Sequence, residues 1–279
     1  MTSRVGGWGS IGRVTTPAGG ASRAGEVARF TPAQQLNVPV KEASDVAALP
    51  GGRLLIVGDT SDKVGLLGPD GKFSKIKLEG LKGTSEMEGV AYDPVHHNLF
   101  VSREEDRQVL RYDWNPDKKK APELKHTYDV KNVGGPENKG LEGLTFLDGD
   151  KSPTGMPQLL AAKEGKPREL LMFDANGGKK GTKIDLDPSL KDVCKDFSAI
   201  AIDPKSGDLF LSSDESSVVA QLHLQKKGDG IEAKLVQSFP VRNDKDKPLA
   251  RIEGLAFNER GDLFVLTEND GGLHKLARQ

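Results

Sequence analysis

Cysteine is almost absent from this 279-residue chain, in which Cys194 is the only example. A single cysteine excludes an intramolecular disulfide, a zinc site made of several thiolates and an iron–sulfur cluster. An excess of one charge is also missing, because 40 Lys and Arg residues nearly balance 41 Asp and Glu residues and leave a formal net charge of −1. This balance gives no electrostatic reason to expect nucleic acid as the main partner.

Long apolar runs are missing as well. No stretch approaches the roughly 18 to 20 apolar residues of a membrane-spanning helix, and residues 1–26 lack the apolar core of a secretory signal. We therefore expect the cytoplasm, with the periplasm or secretion as the alternative for a processed chain. Residues 1–26 are rich in Gly, Ser, Thr and Ala without apolar periodicity, which predicts a flexible N-terminal arm before a single domain at 27–279.

Glycine and proline, by contrast, are plentiful, with 33 and 16 residues. Such a composition is typical of many short strands joined by tight turns, so we expect an all-β protein. An internal repeat supports this expectation, because five copies of one unit begin near residues 44, 87, 141, 197 and 252. Corresponding positions lie 43 to 56 residues apart, a spacing that is typical of propeller blades.

Each copy carries the signals of four strands, and the fourth strand of the third copy is predicted at 183–186. An apolar alternating run at 254–257, for example, is followed by a turn and a second run at 263–266, as in a β-hairpin. The fifth copy ends before a fourth strand, whereas residues 27–40 precede the first copy and belong to no blade. We predict a five-bladed β-propeller of four-stranded blades, with the ring closed by this N-terminal strand. The alternative is an open array or a sandwich, which would leave edges exposed to pairing.

Acidic side chains recur at two positions of the repeat. The positions at the start of the first strand are Asp45, Glu88, Glu142, Ser198 and Glu253, and those at the end of the second strand are Asp59, Glu104, Glu164, Asp214 and Glu268. Nine of these ten residues are acidic. Because neighbouring strands are antiparallel, both positions lie at one face of the disc. We therefore predict that the nine carboxylates surround one opening of the central channel, which we call the acidic mouth.

Carboxylates that crowd together in a poorly solvated opening raise one another's pKa values or attract cations. The positive charge can come from a hard cation or from basic side chains of the same loops, namely Arg103, Arg107, Lys163, Lys166 and Arg168. Because no histidine belongs to the set, calcium or magnesium is favoured over zinc, copper or nickel. The predicted calcium ligands are Asp45, Glu88, Glu142 and Glu253. The structural alternative is that each acid caps backbone N–H groups of a loop.

The openings of the repeat resemble those of the SdiA-regulated family of bacterial β-propellers, in which an acidic residue and Gly-Leu/Val-Ala start a blade. The segments at 87–93, 141–144 and 252–257 carry the match, which covers roughly residues 35–279. Esterase-like phytase and gluconolactonase/paraoxonase propellers have a similar pattern. The resemblance implies a propeller with calcium as a candidate ligand and no settled activity. Ser198 departs from the acidic pattern, and the catalytic positions of the lactonases have no one-for-one match here, so lactonase activity is not carried over.

Two classes of function remain open. The favoured one is a module that binds a small molecule or a protein at the acidic mouth. The alternative is a calcium-dependent hydrolase of esters, lactones or phosphoesters, in which the metal polarises the scissile group. No nucleophile elbow, HExxH motif or phosphate-binding loop specifies a mechanism, so the sequence does not decide whether the protein is an enzyme. We expect a monomer.

Overall fold

The computed structural model describes residues 3–4, 24–81, 86–104, 106–130, 140–164, 166–176, 181–228, 230–268 and 271–279. Most of the predicted arm lies outside these residues, so its flexibility stays a prediction. The described part of the chain contains one short helix and 22 strands, and the strands form five separate sheets. None of the described helical residues forms a segment long and apolar enough to cross a membrane.

Each sheet is one blade of a propeller. Blade one contains β1 (Ser3–Arg4), β3 (Ala43–Leu49), β4 (Arg53–Gly58), β5 (Lys63–Leu67) and β6 (Lys72–Lys77). Blade two contains β7 (Met87–Asp93), β8 (Asn98–Arg103), β9 (Gln108–Asp113) and β10 (Glu123–Asp129). Blade three contains β11 (Leu141–Leu147), β12 (Gln158–Lys163), β13 (Glu169–Asp174) and β14 (Thr182–Lys183).

The other two blades complete the ring. Blade four contains β15 (Asp185–Leu186), β16 (Ile200–Ile202), β17 (Leu209–Ser213), β18 (Val218–Lys227) and β19 (Gly230–Pro240), and α1 (Leu190–Val193) precedes β16. Blade five contains β2 (Phe30–Asn37), β20 (Ile252–Phe257), β21 (Leu263–Thr267) and β22 (Gly272–Arg278). The first strands β3, β7, β11, β16 and β20 contact one another and form the inner ring. The predicted five-bladed propeller is confirmed.

An N-terminal strand closes the ring, as predicted. β2 pairs antiparallel with β22 and supplies the outer strand of blade five, with Phe30 opposite Arg278 and Leu36 opposite Leu273. Beyond the strand, the Val38 N–H donates to the Gly271 carbonyl at 2.9 Å. Because β22 would otherwise expose unpaired backbone groups, this pairing removes an edge that invites association.

The core is divided into five apolar clusters, one between each pair of neighbouring blades. The alternation of β4 shows why, because Leu55 and Val57 pack against blade two. Leu54 and Ile56, on the opposite face of the same strand, pack against blade five. A side chain of this kind stabilises the fold by roughly 1.5–3 kcal/mol when fully buried. A strand that is apolar on both faces therefore holds two neighbours, which a ring requires of every blade.

The chain that leads into β2 is bound to blade four. The Gly25 N–H donates to the buried Asp208 carboxylate at 2.9 Å, and the Ala28 N–H donates to Gln221 Oε1 at 3.0 Å. Gln237 Nε2 donates to the Ala28 carbonyl at 2.7 Å. These contacts place the start of β2 across the outer strands of blade four before it enters blade five.

One detail of the strand pattern differs from the prediction made from the sequence. A single fourth strand of blade three is expected at 183–186, but this segment divides between two blades. β14 pairs with β13 of blade three, whereas β15 pairs parallel with β19 of blade four. The buried Ile184 lies between them and packs into the cluster that joins the two blades. Its burial at the interface explains why the chain crosses there.

Candidate functional site

A cavity of about 240 Å³ lies at the acidic mouth. Its walls come from all five blades, and the lining residues are Ala43, Ser44, Asp59, Glu88, Glu104, Glu142, Glu164, Asp196, Ser198, Asp214, Glu253 and Glu268. Nine of these residues carry carboxylates, and none is basic. The structure thus brings eight of the nine predicted acids to one opening, together with Asp196, and leaves Asp45 away from the lining.

Three glutamates reach the cavity from irregularities in the first strands. The pairing register shifts between Met87 and Val90 in β7, and equivalent shifts lie around Glu142 in β11 and Glu253 in β20. A β-bulge turns a side chain away from the direction that regular pleating would give it. The bulges therefore aim Glu88, Glu142 and Glu253 into the opening rather than into the blade interfaces.

The acids at the ends of the second strands lie beside the glutamates, as the antiparallel geometry predicts. Asp59 accepts a hydrogen bond from the Ser44 hydroxyl, and Glu104 accepts one from the Gly140 N–H at 3.0 Å. These two acids thus link neighbouring loops as well as lining the cavity. Glu104 therefore caps a backbone N–H group of a loop, which is the contact that the structural alternative predicts.

Asp45 occupies a different register position from the glutamates. Val46 lies opposite Ile56 in blade one, in the same way that Val90 lies opposite Val101 in blade two. Ser44 of blade one is therefore the residue equivalent to Glu88, and Asp45 is equivalent to the glycine that follows it. In sequence, Asp45 aligns with Glu88 because both are acidic, but in the structure Asp45 lies one residue later in its strand than Glu88 does.

The Asp45 carboxylate is fully buried and binds the backbone of the inner ring. It accepts hydrogen bonds from the N–H groups of Val46 at 2.8 Å, Val90 at 2.9 Å and Leu144 at 3.4 Å. Burial raises the pKa of Asp45 well above its usual range, while the backbone N–H groups of Val90, Val46, Leu144 and Leu255 oppose that rise. The residue thus joins the first strands of several blades at the propeller axis.

Blade four supplies its carboxylate from an unexpected position. Ser198, which is equivalent to Glu88, lines the cavity and forms a hydrogen bond of 2.9 Å with the Ser212 hydroxyl. Asp196, two residues earlier, provides the acid of this blade. Its carboxylate accepts hydrogen bonds from the Ser213 hydroxyl and, at 3.2 Å, from the Glu215 N–H. The sequence signal for Asp196 is weak, because it lies outside the repeated strand pattern.

Three glutamates of the cavity hold protons more tightly than an ordinary glutamate. Burial, followed by repulsion from Asp59 and Glu104, raises the pKa of Glu88 to about 8. Burial and the charges of Asp214 and Glu268 raise the pKa of Glu253 to about 7. Burial and the nearby glutamates also raise the pKa of Glu142 well above its usual range. These glutamates therefore retain their protons at pH values at which an ordinary glutamate is ionised.

The basic side chains proposed from the sequence lie outside the cavity lining. Arg103 pairs with Asp106, and Lys163 is buried with its ammonium donating to the Pro167 carbonyl at 2.8 Å. Arg168 donates to the Cys194 carbonyl. Within the described part of the chain, Arg251 contacts a lining acid, because its Nε donates to Glu268 Oε2 at 2.8 Å. Sequence reasoning missed Arg251, which directly precedes β20, the inner strand of blade five.

The cavity does not present a preformed metal cage. Among the described residues, no group of three or more His, Cys, Asp and Glu side chains is arranged to hold a metal ion. Its oxygen donors do have the chemistry that hard cations such as calcium prefer. The arrangement is thus a broad acidic bowl with half-buried carboxylates on its walls, rather than a closed coordination sphere.

Comparisons with known proteins agree on the family and the fold. The model of the SdiA-regulated family matches residues 31–270. No curated protein was found to match the sequence. The structure is similar to that of PQQ-bound aldose sugar dehydrogenase from Streptomyces coelicolor, with a TM-score of 0.55, 14% identity and coverage of 91% of this chain and 99% of that chain.

Two further solved structures are similar over most of their length. Glutaminyl cyclase from Myxococcus xanthus has a TM-score of 0.53 and 12% identity, and 91% of this chain and 96% of that chain are covered. The gluconolactonase XC5397 from Xanthomonas campestris has a TM-score of 0.51 and 14% identity, and 94% of this chain and 88% of that chain are covered. Identities this low show a shared fold and nothing about the reaction.

Proposed function

We propose that this chain, which belongs to the SdiA-regulated family, is a binding module that holds a cation at its acidic mouth. The observation that carries the proposal is the composition of the cavity of about 240 Å³, which is lined, among the residues that the structure describes, by nine carboxylates and no basic residue. Half-buried like charges raise the free energy of the empty site. A cationic ligand relieves that repulsion, so it binds at a site that the rigid ring has already assembled.

Calcium is the cation that we propose first. Glu88, Glu142 and Glu253 project from three different first strands, and carboxylate oxygens are the ligands that calcium prefers. Because these side chains do not form a cage, binding requires their rotation toward the ion. Asp45 keeps a supporting role, since its oxygens already accept backbone N–H groups. Magnesium is less suitable, because it demands a stricter octahedral geometry than flexible side chains provide.

Titration calorimetry of chelator-treated protein with calcium tests the proposal. We expect saturable binding that the Glu253→Gln variant weakens by about tenfold, or about 1.4 kcal/mol. Glu259→Gln is the matched control, because Glu259 is an exposed glutamate that does not line the acidic mouth. Equal affinities of the two variants would contradict a site at the acidic mouth, and absence of binding would remove calcium as the ligand.

A calcium-dependent hydrolase of esters, lactones or phosphoesters is the second candidate. The position of two glutamates favours it, because burial and neighbouring acids raise the pKa of Glu88 to about 8 and that of Glu253 to about 7. Groups with such values exchange protons readily at neutral pH, as general acid–base catalysis requires. A substrate panel decides between the candidates. Turnover that needs calcium and disappears in Glu88→Gln would establish the hydrolase, whereas calcium binding without turnover supports the binding module.

A further inference from the structure

A second cavity, of about 350 Å³, lies around the other ends of the first strands. We call it the apolar cavity. Its lining comes from all five blades and includes the partly exposed Ala48, Phe146 and Ile202. The apolar cavity shares no lining residue with the acidic mouth, so a ligand bound there does not depend on the proposed cation site.

Small side chains at one register position create the space. Each of the five first strands has a small residue at the same register position, paired with a large residue of the second strand. The small residues are Ala47, Ala91, Thr145, Ala201 and Ala256, and the large residues opposite them are, in the same order, Leu55, Phe100, Leu160, Phe210 and Phe264. The opposite residues are large and buried in the blade interfaces, so the small residues leave room at the axis while the blades stay tightly packed.

The walls of the cavity are apolar and the rim is charged. Phe146 and Ile202 are only partly buried, and Phe257 lies in the wall beside them. The charged rim residues are Asp148, Asp150, Lys151 and Glu259. The Lys151 ammonium is directed to the Lys205 carbonyl, to which it donates at 3.3 Å. Three carboxylates against one lysine leave the rim negative.

Asp45 separates the apolar cavity from the acidic mouth. Val46, Val90 and Leu144 line the apolar cavity, and their N–H groups bind the Asp45 carboxylate. Two residues earlier on the same strands, Ser44, Glu88 and Glu142 line the acidic mouth. The carboxylate and the backbone around it thus form a partition, and the apolar cavity has its floor there.

We propose that the apolar cavity binds a small aromatic amine, with its ring system against the apolar walls and its ammonium group at the rim. The volume of the cavity falls within the roughly 300–1,000 Å³ that small-molecule sites occupy, and such sites combine apolar walls with a few polar groups. Burial of the ring supplies the favourable free energy. The three rim carboxylates favour a cation over an anion.

Two probes with the same ring and opposite charge test the proposal, namely 2-naphthylmethylamine and 2-naphthoate. Titration by intrinsic probe fluorescence should show saturable one-to-one binding of the amine, at least about fivefold tighter than the acid because of the rim charges. Ala48→Leu places three extra carbon atoms in a partly exposed position of the wall. This variant should weaken amine binding by about tenfold through loss of space.

Matched variants identify where the probe binds. Ala48→Ser changes the same position without filling the cavity, so it should keep the affinity within about twofold. Because an ammonium group also suits the acidic mouth, each titration is repeated with Glu253→Gln and with saturating calcium, and both should leave amine binding unchanged. Circular dichroism and melting curves confirm that the variants are folded.

Three results would overturn the proposal. The first is the absence of saturable binding of the amine at millimolar concentration. The second is unchanged affinity in folded Ala48→Leu, particularly if Glu253→Gln abolishes binding, because the amine would then occupy the acidic mouth. The third is tighter binding of 2-naphthoate, which would contradict the role of the rim. Failure of calcium binding alone affects only the cation-binding proposal.

Discussion

The two ends of the central channel are made by the same five strands, yet one is lined by carboxylates and the other by apolar groups. The difference arises within two residues of a strand. In β7, Glu88 faces the acidic mouth, whereas Val90 faces the apolar cavity. One ring of short strands can therefore carry two chemically distinct sites, provided that the axis between them is closed.

The closure depends on one side chain and on the glycines beside it. A Cβ atom on Gly143 would lie 2.8 Å from the Ile200 nitrogen, and one on Gly254 would lie 3.1 Å from the Asp45 Cα. These glycines allow the inner strands to approach closely. Asp45 takes the equivalent position in blade one and fills the axis with a carboxylate. The separation of the two ends of the channel therefore depends on Asp45.

The largest effect is expected from Asp45→Ala, which removes the partition. At least three backbone N–H groups lose their acceptor, and each unsatisfied buried donor costs about 1–3 kcal/mol. We expect the free energy of unfolding to fall by roughly 3–5 kcal/mol, measured by urea denaturation. Asp45→Asn retains one acceptor oxygen, so its free energy of unfolding should lie between those of the parent protein and Asp45→Ala. A loss below about 1 kcal/mol in Asp45→Ala would show that the inner strands hold together without the carboxylate.

The fold could be predicted from the sequence because its determinants are repeated. Every blade needs second-strand residues that are apolar on both faces, and runs such as Leu54 to Val57 carry that pattern in each copy. The unmatched N-terminal segment then indicates how the ring closes. Two details could not be predicted from the repeat. The chain crosses between blades at 183–186 because Ile184 is buried between them, which depends on tertiary packing. β1 adds a fifth strand to blade one by pairing with β6.

The site was less accessible to sequence reasoning. The acids at the second-strand ends line one cavity, because antiparallel pairing fixes the face at which those strands end. Asp45 was aligned with Glu88 on the basis of charge, although bulges make the register ambiguous by one residue, and one residue reverses the direction of a side chain. Asp196 lies before the strand, where no repeated pattern indicates the direction of its side chain.

A second prediction concerns the pH dependence of stability at the acidic mouth. Glu88 and Glu253 have pKa values of about 8 and about 7 in the folded protein, compared with 4.5 for ordinary glutamate. Because folding raises these values, the stability that they contribute is fully present below pH 4.5 and is lost as the pH rises through 7 and 8. Calcium-free protein should therefore melt at a lower temperature at pH 8 than at pH 5.5.

Calcium should restore the stability that the calcium-free protein loses at pH 8. At a hundredfold excess over Kd, a ligand that binds only the folded state adds about 2.7 kcal/mol to its stability. The rise in Tm should be smaller at pH 5.5, because protons then occupy the same carboxylates. Sodium chloride at matched ionic strength is the control for screening. A calcium effect that is equal at both pH values would contradict binding through these glutamates.

A third prediction compares one glutamate from each end. Glu88→Gln removes a charge that its neighbours repel, so the calcium-free variant should be more stable than the parent at pH 8 by roughly 1–2 kcal/mol. Glu259→Gln at the exposed rim of the apolar cavity should change stability by less than about 0.5 kcal/mol. Urea denaturation at pH 8 measures both. Destabilisation by Glu88→Gln would show that Glu88 has a structural partner that outweighs the repulsion.

The smallest effect is expected from Asp196→Asn in blade four. The Asp196 carboxylate already accepts hydrogen bonds from the Ser213 hydroxyl and the Glu215 N–H, and an asparagine oxygen can keep accepting them. Donors that stabilise a carboxylate reduce what it gains from a cation, whereas Glu253 is surrounded chiefly by the like charges of Asp214 and Glu268. Calcium affinity should therefore fall by less than about threefold in Asp196→Asn, against about tenfold in Glu253→Gln. If parallel calorimetry gives the larger loss for Asp196→Asn, blade four binds the cation and the three bulged glutamates serve mainly to attract it.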